Sequence, residues 1–185
     1  MLFMMFLPRC EGRAPKLCAP APADMQCVFG GEMIRGRDKG PRSQRPSARI
    51  WVDTYYMDTT DKGFSDPEQP KVGVSWFAAR AFCEAQGKRL PTEAEFEKAI
   101  RGPDGEWFAW GNDPPSCANT VYLAPKVGRG CGKTSPKEGT GATWPVKSRP
   151  AGRYGLYDIS GNADEWTQDW YTYGGYAECG ADCLG

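Results

Sequence analysis

Between Tyr154 and Trp170 the chain reads Tyr-Gly-Leu-Tyr-Asp-Ile-Ser-Gly-Asn-Ala-Asp-Glu-Trp-Thr-Gln-Asp-Trp. Aromatic residues, a Gly-Asn turn and several carboxylates crowd together there, with neither a helical nor a strand period. A stretch of this kind folds as loop, and a loop can aim backbone carbonyls and a carboxylate at one point. That donor set suits a hard cation such as Ca²⁺, which takes about six to eight oxygens, many of them carbonyls.

Three other groups of residues carry potential chemistry. Cys179 and Cys183 place two thiols close together, and soft thiolates select Cu(I). The plainer reading of that pair is a disulfide or a local staple. Glu93, Glu95 and Glu97 could do acid–base work, but each has a structural reading. Glu95 closes a capping box with Thr92, Glu93 sits at the positive end of a helix dipole, and Glu97 falls on a solvated face. Trp107, Trp110, Trp144, Trp166 and Trp170 could line a carbohydrate platform; they are read instead as core, with their N–H groups hydrogen-bonded. A solvent-facing cluster would reverse that reading.

The chain contains no histidine. This excludes His-based triads, Cys/His zinc sites and the facial iron triad. Lysines and arginines balance aspartates and glutamates at 23 each, so no basic excess exists to neutralise phosphates and nucleic acid is not an expected partner. The run Arg35 to Arg42 mixes charge with Gly and Pro and reads as a solvated loop.

The elements that must position these groups are short. With 185 residues the chain can build one domain with a core, and its 23 Gly and 16 Pro predict many turns. Residues 1–24 read as a leader or linker, and 25–185 as the domain. Gln26 to Gly36 reads as a hairpin turning at Gly30-Gly31, and Arg49 to Met57 as a strand. Ser75 N-caps a helix that ends at Gly87; Trp76, Ala79 and Cys83 share one of its faces. Thr92 opens a second helix with Phe96, Ala99 and Ile100 facing inward, closed by Gly102-Pro103. Thr143 to Val146 is expected to add a short strand.

The cysteines are Cys10, Cys18, Cys27, Cys83, Cys117, Cys131, Cys179 and Cys183. An even number in a loop-rich chain points to disulfides and an extracytoplasmic setting: periplasmic, secreted or lipid-anchored. Cys117 and Cys131 are placed to staple a long loop, while Cys83 reads as a buried free thiol. No stretch is long and apolar enough for a transmembrane span.

Taken in order, several motifs resemble the formylglycine-generating (sulfatase-modifying factor) family. They are Gly30-Gly31 through Gly36, Val52-Asp53 to Met57-Asp58, and Val72-Gly-Val-Ser-Trp76. Gly87-Lys-Arg-Leu-Pro-Thr-Glu-Ala-Glu-Phe-Glu97, Trp110-Gly-Asn112, and Gly155-Leu-Tyr-Asp-Ile-Ser-Gly-Asn162 with Glu165-Trp166 follow. The resemblance implies an α+β, C-type-lectin-like fold, rich in loops with short strands and two to three helices. It also implies a Ca²⁺ site in which Ser160, Gly161 and Ala163 offer carbonyls, Glu165 its side chain, and Asn162 shapes the turn. A second family calcium site would begin at Asn119 and Thr120.

The family's oxidases convert a cysteine of a client sulfatase to formylglycine, using O₂ and copper held by two thiolates. This sequence departs from the family pattern after Thr60, where a helix's worth of residues is missing, and after Trp170, where the copper-cysteine segment is not found. The expectation is therefore a non-catalytic, calcium-stabilised module that binds a protein, peptide or other ligand. The alternative is the oxidase, with its catalytic C-terminal segment absent from this chain and copper bound only if that segment is present.

Overall fold

The computed structural model describes residues 14–62, 67–124, 129–131, 143–171, 174 and 176. Four strands open the chain: β1 (Met25–Val28), β2 (Gly31–Arg35), β3 (Ala48–Val52) and β4 (Tyr55–Asp58). Pairing is antiparallel and nested, with β1 on β4 and β2 on β3. One register runs through both ladders, from Met25↔Asp58 to Arg35↔Ala48. The two pairs are thus one long ribbon, interrupted at Phe29-Gly30 and Asp53-Thr54.

This corrects the expected hairpin at Gly30-Gly31. The two glycines let the ribbon pinch rather than turn. A side chain at Gly30 would lie 2.6 Å from the Thr54 backbone nitrogen, and Gly30 N–H donates to Thr54 Oγ1 at 2.9 Å. The reversal comes later, over 36–47, and starts at Gly36 with φ +70°. Arg35, expected in a solvated loop, ends β2 and is buried, with Tyr176 stacked 4.0 Å from its guanidinium.

Helix α1 (Trp76–Glu84) begins at Ser75, whose Oγ accepts from Ala78 N–H. It ends where Lys88 and Gly87 N–H donate back to the Cys83 and Glu84 carbonyls, with Gly87 at φ +68°. No residue of α1 is buried. Helix α2 (Glu93–Arg101) starts on the expected capping box: Thr92 Oγ1 accepts from Glu95 N–H while Glu95 accepts from Thr92 N–H. The short pair β5 (Leu123–Ala124) and β6 (Arg129–Gly130) follows. The strand expected over Thr143 to Val146 does not form. Trp144 N–H and C=O are instead bonded by the Asn162 side-chain amide, which leaves no backbone edge there to pair.

The core lies on both sides of α2. Val28, Ala99, Ala109, Leu156 and Ile159 form one cluster; Met33, Ile50, Val52 and Ala94 form the other. Tyr55 packs against both, and its hydroxyl donates to the Glu95 carbonyl at 2.5 Å. The small residues Ala94 and Ala99 let α2 sit close to the ribbon. Lys98 is buried between them and donates from Nζ to the Gly31 carbonyl at 2.8 Å. Two disulfides add covalent ties, Cys18–Cys27 and Cys117–Cys131, the second across the loop where it is expected. Cys83 is a free thiol, half-buried rather than buried.

Candidate cation site and the clefts beside it

The turn over 158–162 is built from three backbone reversals, at Asp158 (φ +62°), Gly161 (φ +151°) and Asn162 (φ +73°). Asn and Asp tolerate this region better than other side-chain-bearing residues, which is why the Gly-Asn pair carries the bend. Side chains then lock it. Asp158 Oδ2 accepts from Thr60 Oγ1 at 2.7 Å and from Lys147 N–H at 2.8 Å. Asn162 clasps the Trp144 backbone, and its own N–H donates to the Val121 carbonyl.

Thr120 and Ser160, expected at two separate calcium sites, meet directly. Thr120 Oγ1 donates to the Ser160 carbonyl at 2.9 Å, and both residues line a small cleft with Asn119, Gly161 and Asn162. Asn119 Oδ1 is engaged by Ser116 N–H at 2.8 Å. Arg149 lines the same cleft, and its cation opposes a metal ion there.

Glu165 lies elsewhere, on a larger cleft of about 470 Å³ between α1, β4 and the 156–166 segment. Its Oε1 is buried and accepts no hydrogen bond; Asp61 Oδ2, on the wall of the same cleft, is in the same condition. Burial, then the neighbouring charge of Asp61, pushes the Glu165 carboxyl up to about 9. Burial and the charge of Asp158 push Asp61 up to about 7. Asp58, on that wall too, is neutralised by Lys88 at 2.7 Å and Lys62 at 3.6 Å. Among the described residues, no three carboxylates or thiolates converge on one point, so a cation here would draw on carbonyl oxygens as well. Sequence reading missed Asp61, which looked like the start of a polar loop. As one acidic side chain in a polar loop it gave no signal without the fold.

The carboxylates of α2 are all occupied. Glu95 caps the helix and pairs with Arg89 at 2.6 Å. Glu93 accepts from the Tyr176 hydroxyl, and burial, its largest influence, pushes its carboxyl up to about 7. Glu97 is not on a solvated face: it is nearly buried, paired with Arg101 and accepting from Gly36 N–H. The end of the ribbon covers that face of the helix.

The tryptophans split into two groups. Trp110 stacks on Phe108 at 4.8 Å, and Trp144 lies under Arg149. Trp107, Trp166 and Trp170 stand out to solvent, contrary to the core reading. Cys179 and Cys183 lie outside the described residues.

The profile of the sulfatase-modifying factor enzyme 1-like domain matches residues 60–183. The chain belongs to this family. It is 42% identical over 107 residues to the formylglycine-generating enzyme of Bos taurus, covering 57% of this chain and 28% of that protein. It is 37% identical over 151 residues to the serine/threonine-protein kinase pkn1 of Chlamydia pneumoniae, covering 82% of this chain and 20% of that protein. The chain thus spans less than a third of either relative. In structure it resembles PvdO from Pseudomonas aeruginosa, with a TM-score of 0.63 at 18% identity over 92% of this chain and 80% of that one. The family's α+β, loop-rich fold is therefore the fold of this chain.

Proposed function

We propose that this region is a non-catalytic, calcium-stabilised module that binds a protein or other ligand. The observation that supports calcium is the Glu165 carboxylate oxygen, buried without a partner beside the equally unpartnered Asp61. Buried carboxylates are costly unless paired or holding a metal. Glu165 and Asp61 would give the charged oxygens. Of the expected carbonyl donors, Ser160 and Gly161 line the small cleft instead, and the Ser160 carbonyl is already bonded by Thr120. The neutral oxygens would therefore come from other carbonyls of the larger cleft and from water. The bound ion would supply the positive charge that keeps Glu165 ionised.

The non-catalytic reading is supported by α2, whose three carboxylates are all committed to capping, the Tyr176 contact or the Arg101 pair. A module role also suits a region shared with a much longer protein named as a kinase. The two disulfides favour an oxidising, extracytoplasmic compartment. Among the described residues no helix is long and apolar enough to cross a membrane.

A second reading is the formylglycine-generating oxidase, favoured by the 42% identity to a protein of that name. In that reading copper is held by two thiolates, from a further C-terminal segment or from Cys179 and Cys183. Thermal unfolding with Ca²⁺, with Cu(I) and with a chelator separates the two. The module predicts a midpoint raised by Ca²⁺ and indifferent to copper. Stoichiometric Cu(I) binding that disappears in a Cys179→Ser, Cys183→Ser variant would overturn it.

A further inference from the structure

We propose that the shelf formed by Trp76 and Trp170 binds a neutral carbohydrate. The two rings lie 5.5 Å apart between centroids, with 31° between their planes, and Trp170 is 76% exposed. Trp76 is held by a hydrogen bond from its Nε1 to the Thr167 carbonyl at 2.8 Å and carries the Arg80 guanidinium over its ring at 5.5 Å, so the ring the shelf offers a ligand is that of Trp170. Phe77 and Trp166 extend the exposed aromatic surface, and α1 buries none of its residues. Aromatic surface clustered in this way marks a binding site rather than ordinary exposure.

The chemistry of the adjoining cleft selects the ligand. It measures about 300 Å³, and beside the two indoles its walls include Arg80, Glu84, Arg89 and Gln168. A protein hot spot seats its anchor in a dry, well-packed socket. Here the cleft is largely polar, with N–H donors and carboxylate or amide acceptors beside the indoles. Its charges are already cancelled: Arg80 pairs with Glu84 at 2.7 Å, and Arg89 with Glu95 at 2.6 Å. Neither an anion nor a cation gains from entering. A pyranose has the matching surface, a flat C–H face to lie on Trp170 and a rim of hydroxyls to meet the polar walls. Arg89 and Trp166 also line the cleft that holds Glu165, but neither Trp170 nor Gln168 does, so variants at those two positions let the two proposals fail separately.

The test is saturation-transfer NMR on the purified chain with cellohexaose, maltohexaose, xylohexaose and chitohexaose. The expected result is saturable binding of at least one, with saturation concentrated on ring C–H protons. Trp170→Ala should weaken that binding at least tenfold, and Gln168→Ala several-fold. Trp107→Ala, which removes an exposed indole away from the shelf, should leave it unchanged. A thermal midpoint like that of the parent chain qualifies each variant as folded. No binding by any of the four sugars, or equal binding by both shelf variants, would overturn the proposal.

Discussion

Arg101 and Glu97, one turn apart on α2, together clamp the point where the ribbon reverses. The Arg101 guanidinium pairs with Glu97 and donates to the carbonyls of Gly36 at 3.1 Å, Gly105 at 2.9 Å and Glu106 at 2.9 Å. Glu97 accepts from Gly36 N–H at 3.0 Å. With side chains only 8% and 12% exposed, the pair ties the ribbon, the helix and the turn after it into one unit.

Breaking one side of such a pair strands the other charge, at a cost of about 3–5 kcal/mol, whereas replacing both with apolar residues can be near neutral. Arg101 has a further role, since three carbonyls would lose their donor with it. Urea unfolding should show Arg101→Met and Glu97→Leu each strongly destabilised. The double variant should be less destabilised than the two single effects added. Additive effects would mean that the pair does not act as a unit.

The Thr92 cap should behave more modestly. Thr92→Ala removes the acceptor for Glu95 N–H and should cost about 1 kcal/mol. Glu95 keeps its pair with Arg89, so the helix should survive. A loss no larger than that of an exposed-site control such as Glu84→Ala would contradict the cap.

The Cys117–Cys131 bridge closes a loop with a sequence separation of 14. Loop-closure entropy for that length gives about 3 kcal/mol. Thermal unfolding of a Cys117→Ser, Cys131→Ser variant should show a matching loss, and reductant should shift the parent chain in the same direction. A variant as stable as its parent would show that the bridge does not constrain the unfolded chain.

The strand and helix signals differ in how far the sequence alone could carry them. The second helix was legible because its capping box and apolar spacing are local. The ribbon was not, because Gly30-Gly31 looks like a turn, and only its long-range partners Asp53 and Thr54 show it to be a pinch. Glu97 was misread for a related reason: its face is covered by Gly36, a residue distant in sequence. In the candidate site, Asn162 and Gly161 could be read as a turn, yet Asp61 and the meeting of Thr120 with Ser160 depend on contacts between distant segments. The exposed tryptophans went against the general tendency of indoles to bury.

The raised carboxyls give the chain a distinctive pH response without calcium. Glu165, Asp61 and Glu93 are raised from 4.5, 3.8 and 4.5 to about 9, 7 and 7. Their contribution is fully present below the unfolded values and lost as the pH rises through the folded ones. Lys98, lowered by burial from 10.5 to about 8, acts oppositely, adding stability as the pH rises above about 8. Chelated protein should therefore lose stability from mildly acidic pH to a minimum at about pH 8–9. Saturating Ca²⁺ should flatten the Glu165 and Asp61 part of that fall. Melting curves across this range check it; a flat profile in chelator would contradict it.

The most direct test of the account is calcium titration by calorimetry at neutral pH on the parent chain and on Glu165→Gln. The account predicts one saturable Ca²⁺ site in the parent that is lost in the variant. It also predicts that the chelated variant is at least as stable as the chelated parent, because Gln is buried neutral without the proton uptake that Glu165 requires at that pH. No heat of binding in a folded parent chain, or undiminished binding in Glu165→Gln, would contradict it.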